Sequence, residues 1–202
     1  MSCPQYESDN MKSKKHPTGN LVLNLGCGKQ TYGNVRIDLY RGKANLLADV
    51  EKSLPFQNDV FDEVYSSHFF EHLRNPSSVL GEMARVLKPA GKLVLITDNA
   101  AYIPFHLHPK FGSGFHSWNG YHGISPVDKH FSLYTPEHLK NHLLGHKLQI
   151  VRIIYAYSPD VAEHPGGPYQ KITRFISLSK LLPMLKPFIH PNILVVAVKS
   201  SR

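Results

Sequence analysis

The stretch "LVLNLGCGKQTYGNVRIDLY", residues 21 to 40, constrains the fold of this chain more than any other. Leu21 to Leu25 is a short, branched, apolar run, which suits a strand buried on both faces. Gly26 and Gly28 follow at once, where a chain leaving a strand needs a sharp turn and room beside its backbone. A second apolar run, Val35 to Ile37, stops at Asp38 and so places a carboxylate at a strand's carboxyl end. Open α/β sheets bind ligands at that edge. The glycine pair alone is equally compatible with a plain turn between two core strands, so the rest of the chain has to decide.

From Leu21 onward apolar strands alternate with helical stretches. "ANLLADV" reads as a third strand ending at Asp49, and "FDEVYSSHFF" gives a fourth around Asp62 to Ser66. In "NPSSVLGEMARVLKPAG" the residues Val79, Met83, Val86 and Leu87 fall at helical spacing, with Pro89 and Gly91 closing the helix. "KLVLIT" is a fifth strand leading to Asp98. "TPEHLKNHLLG" has Thr135 as N-cap, Pro136 at its first position and Gly145 past its end. "HKLQIVRIIYAY" and "NILVVAVK" read as strands six and seven, able to pair antiparallel at the edge. The rhythm predicts an α/β fold, a doubly wound Rossmann-like sheet of seven strands with the last antiparallel and helices on both faces. Residues 1–19 read as a disordered basic leader, and 20–202 as one domain with an irregular insert at about 99–134.

Which nucleotide the turn suits can be argued from spacing. A dinucleotide fingerprint needs G-x-G-x-x-G, a helix, and an acid about 20 residues on. Gly26, Gly28 and Gly33 are spaced more widely, and Asp38 comes too soon for a full helix before Val35. A nicotinamide fold is therefore disfavoured, and no G-K-[ST] follows for a phosphate loop. The +8 net charge is compatible with an anionic partner. Cys3 and Cys27 are the two cysteines, placed where no structural disulfide is expected, which suits a cytoplasmic setting. "LLPMLKPFIHPNILVVAV" is broken by Lys186, His190, Asn192 and three prolines, so it does not read as a spanning helix.

"LNLGCG", "VRIDLY", "LLADVEKSLPFQNDVFDEVYSSHFFEHL" and "ARVLKPAGKLVLIT", in this order, resemble the class I S-adenosylmethionine-dependent methyltransferases. The nearest branch is the one whose sequences read L-N-L-G-C-G. That resemblance implies S-adenosyl-L-methionine as cofactor and methyl transfer as activity. It implies that Asp38, with Leu39 beside it, receives the ribose hydroxyls, and that Gly26 and Gly28 admit the methionine part. Asp49 would accept from the adenine amino group, the backbone of Val50 would read the ring, and Ser67 and His68 would line the methyl-donor end. Many relatives carry an acid where this chain has Asn24, which keeps the hydrogen-bonding capacity and loses the charge.

Simpler readings stand beside these roles. Asp49 could cap a turn before "EKSLPF", Asp62 reads as structural, and His72 reads as a packed helix histidine. His138, His142 and His146 share a spacing that suggests metal, but no Cys, Asp or Glu completes the set. No metal is assigned, although a cluster among His106, His108, His116, His122 and His130 is left open. Methyl transfer needs a base only where the attacking atom carries a proton, and His68, His116 and His130 are the candidates. The insert is expected to be the acceptor lid, with His116, Trp118 and Tyr121 at the acceptor. Neither an N-P-P-Y-like element nor a Pro-Cys nucleophile is present, so a small-molecule acceptor, anionic or not, is expected rather than nucleic acid. Two other readings stay open: a non-catalytic relative that binds cofactor or partner, and a peripheral membrane protein using "ITRFISLSKLLPMLKPFI".

Overall fold

A computed structural model describes residues 19–103, 106, 130–156 and 183–200. Its strands are β1 (Val22–Leu25), β2 (Val35–Asp38), β3 (Leu46–Leu47), β4 (Phe61–Ser67), β5 (Leu87–Asp98), β6 (Leu148–Ala156) and β7 (Asn192–Lys199). They form one seven-stranded sheet in the order β3-β2-β1-β4-β5-β7-β6. β1 to β5 run parallel, while β7 pairs antiparallel with both β5 and β6. Every residue of β1 is buried, as its largely apolar run requires for a central parallel strand, with Asn24 the one polar side chain among them.

Between Leu25 and Val35 the chain makes only turns, so β1 and β2 are joined without a helix, as the spacing predicts. Helix α1 (Pro76–Val86) starts where Asn75 accepts from the Ser78 N–H and proline fills the first position. Its stripe of Val79, Leu80, Met83 and Ala84 is buried in the core that also holds Leu23, Ile37, Val64, Leu93 and Leu95. Helix α2 (Pro136–Leu144) is capped as expected by the Thr135 hydroxyl, which accepts from the His138 N–H. A third, short helix, α3 (Lys186–Ile189), precedes β7.

Three boundaries differ from the sequence-based expectation. β3 shrinks to two residues: Ala48 still donates to the Asp38 carbonyl at 3.2 Å, but Asp49 enters a turn in which it accepts from the Glu51 N–H. α1 ends at Val86, ahead of Pro89 and Gly91, which belong instead to the start of β5. Phe61 pairs with Leu87 and Glu63 with Lys92, so the residues between form a bulge, with Ala90 at φ +60°. β6 begins at Leu148 rather than His146, because Lys147 takes φ +59° at the exit from α2.

The parallel register positions the site. Leu25 is level with Ile37 and Ser66, and Ser67 with Ile96. Gly26, Asp38, His68 and Asp98 therefore all leave the sheet along one edge. The leader lies outside the described residues, and of the insert only 99–103, 106 and 130–134 lie within them.

Candidate active site

The turn after β1 is built around two backbone contacts to β2. The Gly26 and Cys27 N–H groups both donate to the Ile37 carbonyl, at 2.9 and 3.1 Å. Gly28, at φ +51°, donates its N–H to Asp38 Oδ2 at 2.8 Å, and Tyr40 donates to Asp38 Oδ1 at 3.0 Å. An ionised carboxylate offers about four acceptor positions, so these bonds orient Asp38 and leave a position on each oxygen. A Cβ on Gly28 would meet nothing within 4 Å, so the backbone there faces open space. Gly26 is different. At φ +66° its missing Cβ makes room for the Phe69 ring, which would lie 2.2 Å from it. Asn24 is fully buried and donates Nδ2 to the Tyr32 carbonyl at 3.0 Å, fastening the turn, while its Oδ1 has no hydrogen-bond partner.

A second constellation occupies the edge between β4 and β5. His68 Nδ1 lies 3.5 Å from Glu71 Oε1 and 3.6 Å from Asp98 Oδ1. Asp98 Oδ2 lies 3.1 Å from His130 Nδ1. Glu71 is fully buried, and its other oxygen accepts from the Thr97 hydroxyl at 2.9 Å. Its carbonyl accepts from the Phe131 N–H at 2.8 Å, which ties the end of the insert to this edge. Burial alone would push the His68 imidazole down, but Asp98 and Glu71 hold it up at about 10. Burial opposes ionisation of Asp98 too, and the two imidazoles overcome it, holding the carboxyl at about 2. This is a buried charge cluster rather than a set of separate bases.

Residues 25–95, from the end of β1 through most of β5, match the family model described as a methyltransferase domain. Over that segment the chain is similar to methyltransferase domains. A demethylmenaquinone methyltransferase of Renibacterium salmoninarum is 32% identical over 92 residues, 46% of this chain and 34% of that protein. A ubiquinone/menaquinone biosynthesis C-methyltransferase of Paraburkholderia phymatum is 37% identical over 59 residues, 29% of this chain and 24% of that one. The chain thus spans about a third or less of the length of these curated relatives. An S-adenosylmethionine-dependent methyltransferase from Mesorhizobium loti shares the fold with a TM-score of 0.59, at 18% identity, over 90% of this chain and 91% of that one.

The residues present fit the nucleoside half of a site for S-adenosylmethionine, the cofactor named for the Mesorhizobium loti neighbour. Asp38 presents an oriented two-oxygen acceptor, and Leu39 and Tyr40 beside it are more than half exposed, offering apolar faces at the edge. The other expected site residues divide. Asp49 uses Oδ1 to accept from the Glu51 N–H at 3.1 Å, so it caps the turn before "EKSLPF". Val50 is buried in the core, and Ser67 ends β4 beside His68. The room at Gly26, expected to serve the methionine part, is occupied by Phe69. Asp62 is structural as expected, accepting from the Leu21 N–H and pairing with Lys88, each at 2.8 Å. His72 sits in a short 3-10 turn rather than a helix, its ring 4.5 Å from that of His130. His138, His142 and His146 gather on a separate surface hollow, where His146 shares a 3.0 Å hydrogen bond with Ser77. His116, Trp118 and Tyr121 lie outside the described residues.

Sequence reasoning brought in His68 and His130 but missed Glu71 and the role of Asp98. The signal for Asp98 was present: it ends a strand that lies beside the one ending at Ser67. Glu71 carried none, because its importance comes from burial against Thr97.

Proposed function

We propose that this domain transfers a methyl group from S-adenosylmethionine to a small-molecule acceptor held over the carboxyl edge between β4 and β5. One observation carries the cofactor half. A carboxylate ends β2, bonded across a helix-free turn to Gly28, with both oxygens oriented by backbone N–H groups. The cofactor, when bound, supplies an already activated methyl on a sulfonium. The chain's residues then have to align the acceptor and exclude water. The buried cluster of His68, Glu71, Asp98 and His130 sets the charge at the acceptor end. We assign His130, whose Nδ1 lies 3.1 Å from Asp98 Oδ2, as the base for an acceptor that carries a proton, a role it can fill only in its neutral form.

The family match ends at residue 95, ahead of the insert. Acceptor choice therefore rests on residues 99–134, and we assign His116, Trp118 and Tyr121 to it on residue type. The two curated relatives are named for quinone methylation, which supports a quinone-type ring as acceptor among the small-molecule possibilities.

Calorimetry with S-adenosylhomocysteine should give micromolar affinity and no heat with NAD. In Asp38→Asn one oxygen is replaced by a donor, and binding should weaken by about 2 kcal/mol through the lost charge-assisted bonds. Unchanged affinity in that variant removes the ribose assignment. Transfer of a labelled methyl group should appear in the small-molecule fraction of an extract, and label confined to nucleic acid or protein would overturn the acceptor class. A second reading, contact with a membrane surface, is favoured only by the exposure of Met184 and Phe188 beside Lys186. Among the described residues no helix is long and apolar enough to cross a membrane. Liposome flotation tests the surface reading.

A further inference from the structure

We propose that His68, Glu71 and Asp98 form a binding site for one divalent transition-metal ion of the zinc type, at the carboxyl edge between β4 and β5. The inference does not depend on the methyl-transfer reading. His68 Nδ1, Glu71 Oε1 and Asp98 Oδ1 converge, all within 4.8 Å of one another. The nitrogen stands 3.5 and 3.6 Å from the two oxygens. Those separations are long for hydrogen bonds, which weaken steeply beyond about 3.2 Å. They are close to the spacing of about 3.3 Å between neighbouring ligands of a tetrahedral ion with bonds of about 2.0 Å.

Glu71 gives the independent observation. Its side chain is 1% exposed, yet Oε1 has no hydrogen-bond partner and points at the other two ligands. The charged imidazole of His68, 3.5 Å away, offsets part of the cost of that buried oxygen, and a divalent ion taking the place of its proton would bond the oxygen directly. The outer atoms are backed as ligands usually are. Thr97 donates to the second oxygen of Glu71, and His130 faces the second oxygen of Asp98. A neutral imidazole and two carboxylates carry two negative charges, which a divalent ion neutralises in place. One nitrogen and two oxygens are a donor set suited to zinc, cobalt or iron. His72 and His130 make a second triad with Glu71 and are the alternative ligands.

The test uses the full-length protein, stripped with a chelator and titrated with Co2+ while its visible absorption is followed, then challenged with Zn2+. The expected result is one Co2+ per chain, displaced by Zn2+, with a rise in melting temperature on Zn2+ addition. His68→Ala and Asp98→Asn should each weaken Co2+ binding at least tenfold, while His142→Ala, in the separate histidine hollow, should leave it unchanged. Glu71→Gln should behave like the first two, with circular dichroism confirming that each variant is folded. Binding unaffected by His68→Ala and Asp98→Asn would show that other histidines among the thirteen hold the ion, and the proposal fails. Loss in His72→Ala but not in His68→Ala would move the ion to the other triad and overturn the assignment. No saturable binding would leave the cluster as an ion-pair network around a proton.

Discussion

Gly26 is the residue on which the turn depends most directly. Its φ of +66° costs any L side chain about 1–2 kcal/mol, and an added methyl would fall 2.2 Å from the Phe69 ring. Gly26→Ala should therefore lower unfolding free energy by about 2 kcal/mol or more in urea titrations. In a Phe69→Ala background the same substitution should cost only the backbone part. An equal cost in both backgrounds would mean that the ring moves aside freely. Glu82 makes a different kind of prediction. Both its oxygens bond to Arg85, at 2.7 and 2.8 Å, and Oε2 also accepts from the Leu54 N–H. Arg85 chiefly holds its carboxyl below the usual value of 4.5, against a smaller effect of burial. Because the folded pKa is depressed, the stabilisation is complete above the unfolded value and is lost as pH falls through the folded one. Glu82→Gln should be less stable than the parent at pH 7 by about 1–2 kcal/mol. The gap should close in acid below about pH 4. A gap that persists undiminished at pH 3 would point to packing rather than charge.

At the scale of elements, the sequence was most legible where one rule acted alone. The largely apolar run of β1, the missing first helix, the Thr135 cap and the proline opening the helix after it were all readable, because each follows from local chemistry. Asp38 was readable for the same reason, since a carboxylate closing an apolar run has few other places to be. Pro89 and Gly91 misled, because helix-stopping residues after an apolar periodicity normally mark an end, whereas here they shape a bulge in β5. The end of the third strand was misjudged because a local Asx turn at Asp49 competes with strand pairing at a sheet edge. The cluster around Glu71 could not be seen at all. Its members come from the turn after β4, the end of β5 and the end of the insert, and only the parallel register brings them together.

For the whole molecule, the placement of β7 matters most. It fills the gap between β5 and β6, pairing with seven residues of β5 from Lys92 to Asp98, and among the described residues β6 has no other neighbour in the sheet. Deleting residues 192–199 should abolish cooperative thermal unfolding rather than merely lower the midpoint. A truncated chain that still melts in one sharp transition would contradict this. The same arrangement bears on how the protein is made. A ribosome releases β6 before β7, at about 5–20 residues per second. During that interval of seconds the nascent chain presents two bare strand edges, on β5 and on β6, each a template for a wrong partner. Translation speed through the stretch between them, and any holdase that reaches it first, therefore govern how much of the protein arrives folded.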